Sequence, residues 1–484
     1  MSNQISQKVS SGLFWTLLER GGSKIIQFVI QIILARLLVP EDYGTCALLL
    51  VFINIANVFI NSGFASSLIQ KNDADNIDFS SVFYLCLALS LFFYFLLFIT
   101  APKIAIFFNN YKISILLRVI AITLIIGAYN SIQTAYLTKK MMFKKLFIGS
   151  FIGIIISAVA AIICAFYGLG VWAIVIQYVT NKLVVTINLA YLVNWFPNRK
   201  FSIKRVKSLF SYGWKLMCAS FLSIIVTDIY TITVGKFYTK TELGSYDIGN
   251  KIPSSISETF TTSLGTVLFP AFSLMQNNKN ELKYYIKKAN TLSCFTIFPL
   301  MLLLAAAAKP LVLIILTEKW ISAIPFFQFS CILYATYPLH SSNLQAISAI
   351  GRSDIFLKNE MIKKAIDLSL LYIMLHLGIY WIALGRVLNS FIALGINMQP
   401  GSKYLGYSII NQLKDISNTL IIAIFSSSIA WLILLVENLS PLICLSLQLI
   451  IGVASYLLLS LIFNKNTTYQ VIHTLISLFK QWPY

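Results

Sequence analysis

Arg20, Lys24, Gln27 and Gln31 follow one another at spacings of four, three and four residues, so a helix gathers them into one polar stripe. The segment that carries them, residues 12–38, is otherwise apolar. Counted from Gly12 at 1.5 Å per residue, Arg20 falls about 12 Å and Lys24 about 18 Å along the helix. Both then lie inside a hydrocarbon core about 30 Å thick. A cation there costs about 3 kcal/mol or more unless water or a counter-charge meets it. Two chemistries are open to the pair: receiving an anionic group in a hydrated cavity, or a structural ion pair with Glu19, Asp228 or Glu258. The next segment repeats the stripe with neutral groups, Asn54, Asn57 and Asn61 on one helix face. These suit hydrogen bonding in a cavity and equally the packing of helices in a membrane. Asp228 and Glu258 are rare acids within apolar runs. Each can bind a proton or Na⁺ that drives transport, or neutralise Lys251 or Arg20. Lys251 joins the candidate cavity cations.

The elements that position these residues follow from composition. Of 484 residues, 58% are hydrophobic and only 11% charged, and the mean hydropathy is +0.80. Soluble domains are about a quarter charged, so the expected fold class is an all-α polytopic membrane protein. No stretch is long and polar enough for a separate soluble domain. The sequence carries no nucleophile–base motif, no phosphate-binding glycine loop and no clustered acidic site, which argues against an enzyme and predicts no cofactor. The seven cysteines sit singly in apolar runs, and His340, His376 and His473 lie far apart, so no metal site is expected. The N-terminus lacks the features of a secretory signal and is expected to stay cytoplasmic.

The net charge of +20 does not predict nucleic-acid binding, because the cations fall in short connections and alternate connections are the rich ones. That is the positive-inside pattern. It predicts about fourteen spans of about 20 residues each, with both termini cytoplasmic. Span three is expected over about 79–100, followed by an interfacial piece, and span ten over about 326–350. Trp172, Trp320 and Trp381 near outer ends, and Trp195 and Trp214 near inner ends, are expected as interfacial anchors. Arg36 and Lys236 fit snorkelling at outer ends, and Lys182 and Lys215 fit it at the inner face.

An internal repeat appears at an offset of 200. Leu34-Ala35-Arg36 lies over Val234-Gly235-Lys236, and Gly44-Thr45 over Gly244-Ser245. Asn54, Asn57 and Asn61 lie over Ser254, Ser257 and Thr261, whereas the stripe of Arg20 and Lys24 lies over Ser220 and Ile224. Both copies run outward from the inner face. The expected arrangement is therefore a six-helix lobe over 1–200, a second over 201–400 related by a pseudo-two-fold axis along the membrane normal, and a terminal helix pair with a tail over 401–484.

The opening Gly12 and Trp15, the run Leu34 to Gly44, Gly63-Phe64 with Leu68-Ile69-Gln70, Ala101 to Phe107 and Gly168 to Ala173 resemble Wzx-type polysaccharide flippases, in the subgroup that contains the colanic acid exporter. The match is weaker in motif through the second half. The resemblance implies the multidrug/oligosaccharidyl-lipid/polysaccharide exporter fold. It also implies that undecaprenyl-diphosphate-linked oligosaccharides move from the inner to the outer leaflet of a bacterial inner membrane by alternating access. Candidate partners are then the lipid-linked substrate, the polysaccharide polymerase and the chain-length machinery. By charge and depth, Arg20 and Lys24 suit the diphosphate. A drug or cation antiporter on the same fold would favour an acidic cavity. A membrane glycan polymerase would need a large outer loop, and the outer connections are short.

Overall fold

The computed structural model describes residues 22–61, 64–71, 73–140, 142–193, 195–436, 438–465 and 467–471. Among these the secondary structure is entirely helical. The chain divides into two compact units, Met1–Gly244 and Ser245–Tyr484.

The first unit contains α1 (Ser23–Leu37), α2 (Pro40–Asn61), α3 (Phe64–Gln70), α4 (Asn76–Phe107), α5 (Lys112–Ile120), α6 (Ile122–Lys139), α7 (Phe143–Phe166), α8 (Val171–Val193) and α9 (Ile203–Phe237). α10 (Lys240–Leu274) begins in this unit and continues into the second. Helix α4 starts where Asp75 and Asp78 form a capping box, satisfying amides that a helix start leaves without partners. It then runs unbroken through Pro102 to Phe107, so the interfacial piece expected after residue 100 is instead the last turns of a 32-residue helix. Thr100 Oγ1 donates to the Leu96 carbonyl at 2.7 Å, and Ala101 and Ala105 are buried. The turn between α7 and α8 uses Gly168 and Gly170, both at positive φ (72° and 55°), where a side chain is strained. Packing runs α1 on α7, α7 on α8, α6 on α8, and α2 on α9 and α4.

Connections of the first unit sort to two ends. At one, Lys139 Nζ caps the carbonyls of Leu68 and Lys71, and Asn198 N and Ser202 N donate to Ser80 and Ser81 Oγ at 2.8 and 3.0 Å. At the other, Lys236 Nζ donates to the Phe107 carbonyl at 2.6 Å.

The second unit continues with α11 (Lys279–Ala306), α12 (Ala308–Ile315), a 3-10 turn over Glu318–Ala323, α13 (Ile324–Ala335), α14 (Tyr337–Ala349), α15 (Ser353–Leu375), α16 (Ile379–Leu405), α17 (Ile409–Leu432) and α18 (Pro441–Phe463). Its largest apolar core joins Phe295, Phe298 and Met301 of α11 to Phe327 of α13, Leu394 of α16 and Tyr456 of α18.

Ten helical stretches among the described residues are long and apolar enough to cross a membrane. Of the fourteen expected spans, four do not meet that standard as described. The first is described only from α1 onward. The eighth, in α10, carries Lys251, Pro253 and Glu258. The tenth is broken between α13 and α14 at Thr336, just before Pro338. The eleventh, in α15, carries Lys363, Lys364 and Asp367. A multi-pass membrane protein stands; a count of fourteen is not established.

Two expected anchors are core residues instead. Trp320 is fully buried. Trp195 is also buried, with its ring against Phe79, Phe83, Tyr129 and Tyr136. An indole packs into an aromatic cluster as readily as it lies at an interface. Trp214 and Trp381 are exposed.

Candidate functional site

Arg20 lies outside the described residues. Further along the same stripe, Lys24 and Gln27 are exposed on α1 and Gln31 is half-buried. The Gln31 carbonyl accepts a 3.3 Å hydrogen bond from Tyr43 Oη on α2. On α2, Asn61 Nδ2 donates to Asn57 Oδ1 at 3.1 Å, while Asn61 Oδ1 is buried without a partner. Asn54 turns elsewhere, toward the Asp228 carboxylate on α9. Asp228 is 9% exposed, and its Oδ2 has no hydrogen-bond partner.

Among the described residues no ion pair reaches Asp228, and Lys251, one of the cations predicted for it, pairs with Asp247 instead. A buried carboxylate oxygen is left unsatisfied between α2 and α9, an expensive state. The helices meet closely here. Phe59 and Phe221 rings stand 4.9 Å apart, and a β-carbon on Gly235 would lie 2.3 Å from Leu48 Cδ2.

Lys251 forms a 2.6 Å ion pair with Asp247, one turn back on α10, which offsets much of the charge predicted to face a substrate. Glu258 is exposed on the same helix. Lys236, expected to snorkel, instead caps the end of α4 and lies 4.2 Å from the Phe107 ring. Lys182 is likewise not at the inner face. α8 spans Val171–Val193, so Lys182 sits eleven residues from each end, about 17 Å along the helix. The inner-face placement expected for it fails because its depth depends on where α8 begins and ends. An ammonium at that depth costs about 2.5–3.5 kcal/mol on insertion.

The second unit holds a polar network that the sequence reading passed over. Arg386 on α16 donates to Tyr246 Oη at 2.9 Å. One turn on, Asn389 donates to Asp367 Oδ1 on α15 at 2.7 Å. His340 Nδ1 lies 2.9 Å from Asn397 Nδ2, and Thr336 Oγ1 lies 2.5 Å from Ser390 Oγ. The signal was available: Arg386 and Asp367 interrupt apolar runs just as Arg20 and Asp228 do.

One further cluster sits at the end of the first unit that holds the 71–75 connection. Asp78 is fully buried and pairs with Lys71 at 2.7 Å and Arg205 at 3.4 Å. Arg205 also binds the exposed Asp75, and this guanidinium holds the Asp75 carboxyl below the usual carboxylate range.

Residues 33–325 match a family described as polysaccharide biosynthesis protein. The succinoglycan biosynthesis transport protein ExoT of Rhizobium meliloti (strain 1021) is 24% identical over 320 residues, 66% of this chain and 65% of that protein. The match thus spans slightly less than two thirds of that relative's length. The lipopolysaccharide biosynthesis protein WzxC of Escherichia coli (strain K12) is 21% identical over 413 residues, 83% of this chain and 84% of that protein. Among solved structures, the lipid II flippase MurJ in an inward closed conformation superposes with a TM-score of 0.75 at 15% identity. That superposition covers 94% of this chain and 99% of that one. At such identity the likeness gives the fold.

Proposed function

The chain belongs to the polysaccharide biosynthesis protein family, and from that premise we propose that it is a flippase for polyprenyl-diphosphate-linked oligosaccharides. It carries them from the inner to the outer leaflet of a bacterial inner membrane, by alternating access and without chemical conversion. The carrying observation is the pairing of that family with a fold shared along almost its whole length with a lipid-carrier flippase. The repeat of helix boundaries at an offset of 200, Leu37 with Phe237 and Pro40 with Lys240, supports two repeated lobes followed by a terminal helix pair.

In this reading Lys24, with Arg20, Gln27 and Gln31, lines the hydrated path and meets the diphosphate. Asn54, Asn57 and Asn61 add hydrogen-bonding groups, and Lys251 contributes through its pair with Asp247. Asp228, with its free Oδ2, is the first candidate for binding H⁺ or Na⁺, ahead of the exposed Glu258. Basic connections over 139–145, 198–207, 277–288 and 351–358 keep those segments, and both termini, in the cytoplasm. Polymerase and chain-length proteins are expected to receive the flipped unit.

Deleting the gene in its host tests the reading. Lipid-linked repeat units should accumulate on the cytoplasmic side, and surface polysaccharide should fall. Unchanged polysaccharide with altered dye efflux would replace the flippase with a drug antiporter.

A further inference from the structure

Lys182 has no role in the site assembled above. On α8 it shares a stripe with Val175 and Leu189, seven residues to either side, both fully buried. The opposite stripe, Leu183, Ile187 and Tyr191, is exposed. Lys182 therefore points into the first unit, yet it is only half-buried.

Other basic side chains of this unit show what a structural cation looks like. Lys71 and Arg205 pair with carboxylates, Lys139 binds two carbonyls, and Lys145 donates to the Leu192 carbonyl at 2.7 Å. No hydrogen bond or ion pair among the described residues reaches the Lys182 ammonium. Snorkelling cannot relieve it, because a lysine side chain reaches about 6 Å and either helix end is about 17 Å away.

The polar groups around it are also unspent. Thr186 lies one turn on, and its buried Oγ1 has no partner. Gln133 on α6 donates to the Thr186 carbonyl at 3.2 Å, which brings α6 against this part of α8. Gln133 Oε1 and, one turn earlier, Asn130 Nδ2 are buried without partners. A cation with nearby free donors and acceptors, and with no carboxylate paired to it among the described residues, matches an oxyanion with hydroxyl groups attached.

We propose that Lys182 is an anion receptor inside the first unit, taking an oxyanion of the transported glycolipid while Asn130, Gln133 and Thr186 hydrogen-bond the groups around it. The inference rests on the flippase reading for the identity of the substrate. Two sources carry the shared chemistry: the diphosphate of the lipid carrier and the carboxylate of an acidic sugar.

The test uses the full chain purified in detergent, titrated separately with geranylgeranyl diphosphate and with glucuronic acid, as wild type, Lys182→Gln and Lys182→Arg. Loss of a charge-assisted contact should weaken binding by about tenfold or more in Lys182→Gln, with Lys182→Arg largely restoring it. A loss confined to the diphosphate identifies the carrier as the source, and a loss confined to glucuronate identifies the sugar. Unchanged binding of both ligands overturns the proposal, as does equal weakening by Gln and Arg. Should Lys182→Gln fail to fold, the neutral Lys182→Met takes its place.

Complementation of the deletion strain separates the two ideas. If wild type does not relieve the cytoplasmic accumulation, the flippase reading falls while the titration still decides the receptor. If wild type and Lys182→Gln relieve it equally, the receptor has no part in transport and the inference fails.

Discussion

Gly44 and Gly244 touch backbone to backbone. A β-carbon on Gly44 would lie 2.0 Å from the Lys240 carbonyl oxygen, and one on Gly244 would lie 1.8 Å from the Pro40 carbonyl oxygen. The contact is reciprocal, each glycine meeting the carbonyl four residues before the other, and the two positions are those matched by the 200-residue repeat. Backbone atoms cannot swing aside as a side chain can, so even a methyl group must separate α2 from α10. Gly44→Ala and Gly244→Ala should each destabilise by about 1–3 kcal/mol, and Gly44→Leu should leave little folded protein. Gly127, with nothing within 4 Å of an added β-carbon, is the control: Gly127→Ala should gain about 0.5–1 kcal/mol from helix propensity. Thermal unfolding in detergent reads all four.

Asp228 gives a prediction about energy coupling. Asp228→Asn retains a group that can hydrogen-bond Asn54 but removes the charge, so protein level should stay normal while transport in proteoliposomes loses its dependence on an imposed H⁺ or Na⁺ gradient. Full gradient-driven transport by Asp228→Asn would remove this residue from the coupling scheme.

The Asp75–Arg205 pair makes a pH statement. The folded Asp75 carboxyl titrates below its unfolded value, because Arg205 hydrogen-bonds its charged form. Its contribution to stability is thus present above the ordinary carboxylate range and is lost as pH falls through the lowered folded value. Wild type should lose stability in that acid window, and Asp75→Asn should flatten the loss. Unfolding temperatures measured across that range check it. An unchanged acid limb in Asp75→Asn would show that the pair contributes nothing.

Lys24 and Lys236 should separate cleanly. Arg20→Ala with Lys24→Ala should abolish export at a normal protein level. Lys236→Ala should leave export intact and cost about 1 kcal/mol, since Lys236 only caps the α4 carbonyls beside Phe107. Surface polysaccharide and melting temperature, measured on the same strains, give both readouts.

Much was legible in the chain alone. Apolar runs of about 20 residues specify membrane helices because no other open structure satisfies its backbone in lipid. Gly44 with Gly244, and the boundary pairs Leu37 with Phe237 and Pro40 with Lys240, follow from the repeat. The family was readable in the run from Leu34 to Gly44. The depth of Asp228 and the rarity of charge around it were also visible, because the cost of a buried charge depends on sequence hydropathy.

Pairing was not legible. That Asn54 lies toward Asp228, that Lys251 turns to Asp247, that Trp195 and Trp320 are core residues, and that Lys182 has no partner among the described residues all depend on helix rotation and on which neighbours each helix meets. Periodicity places a side chain on a face of its own helix. Only the packing of one helix against another decides what that face meets, and hence which charges are neutralised and which stay available for a ligand.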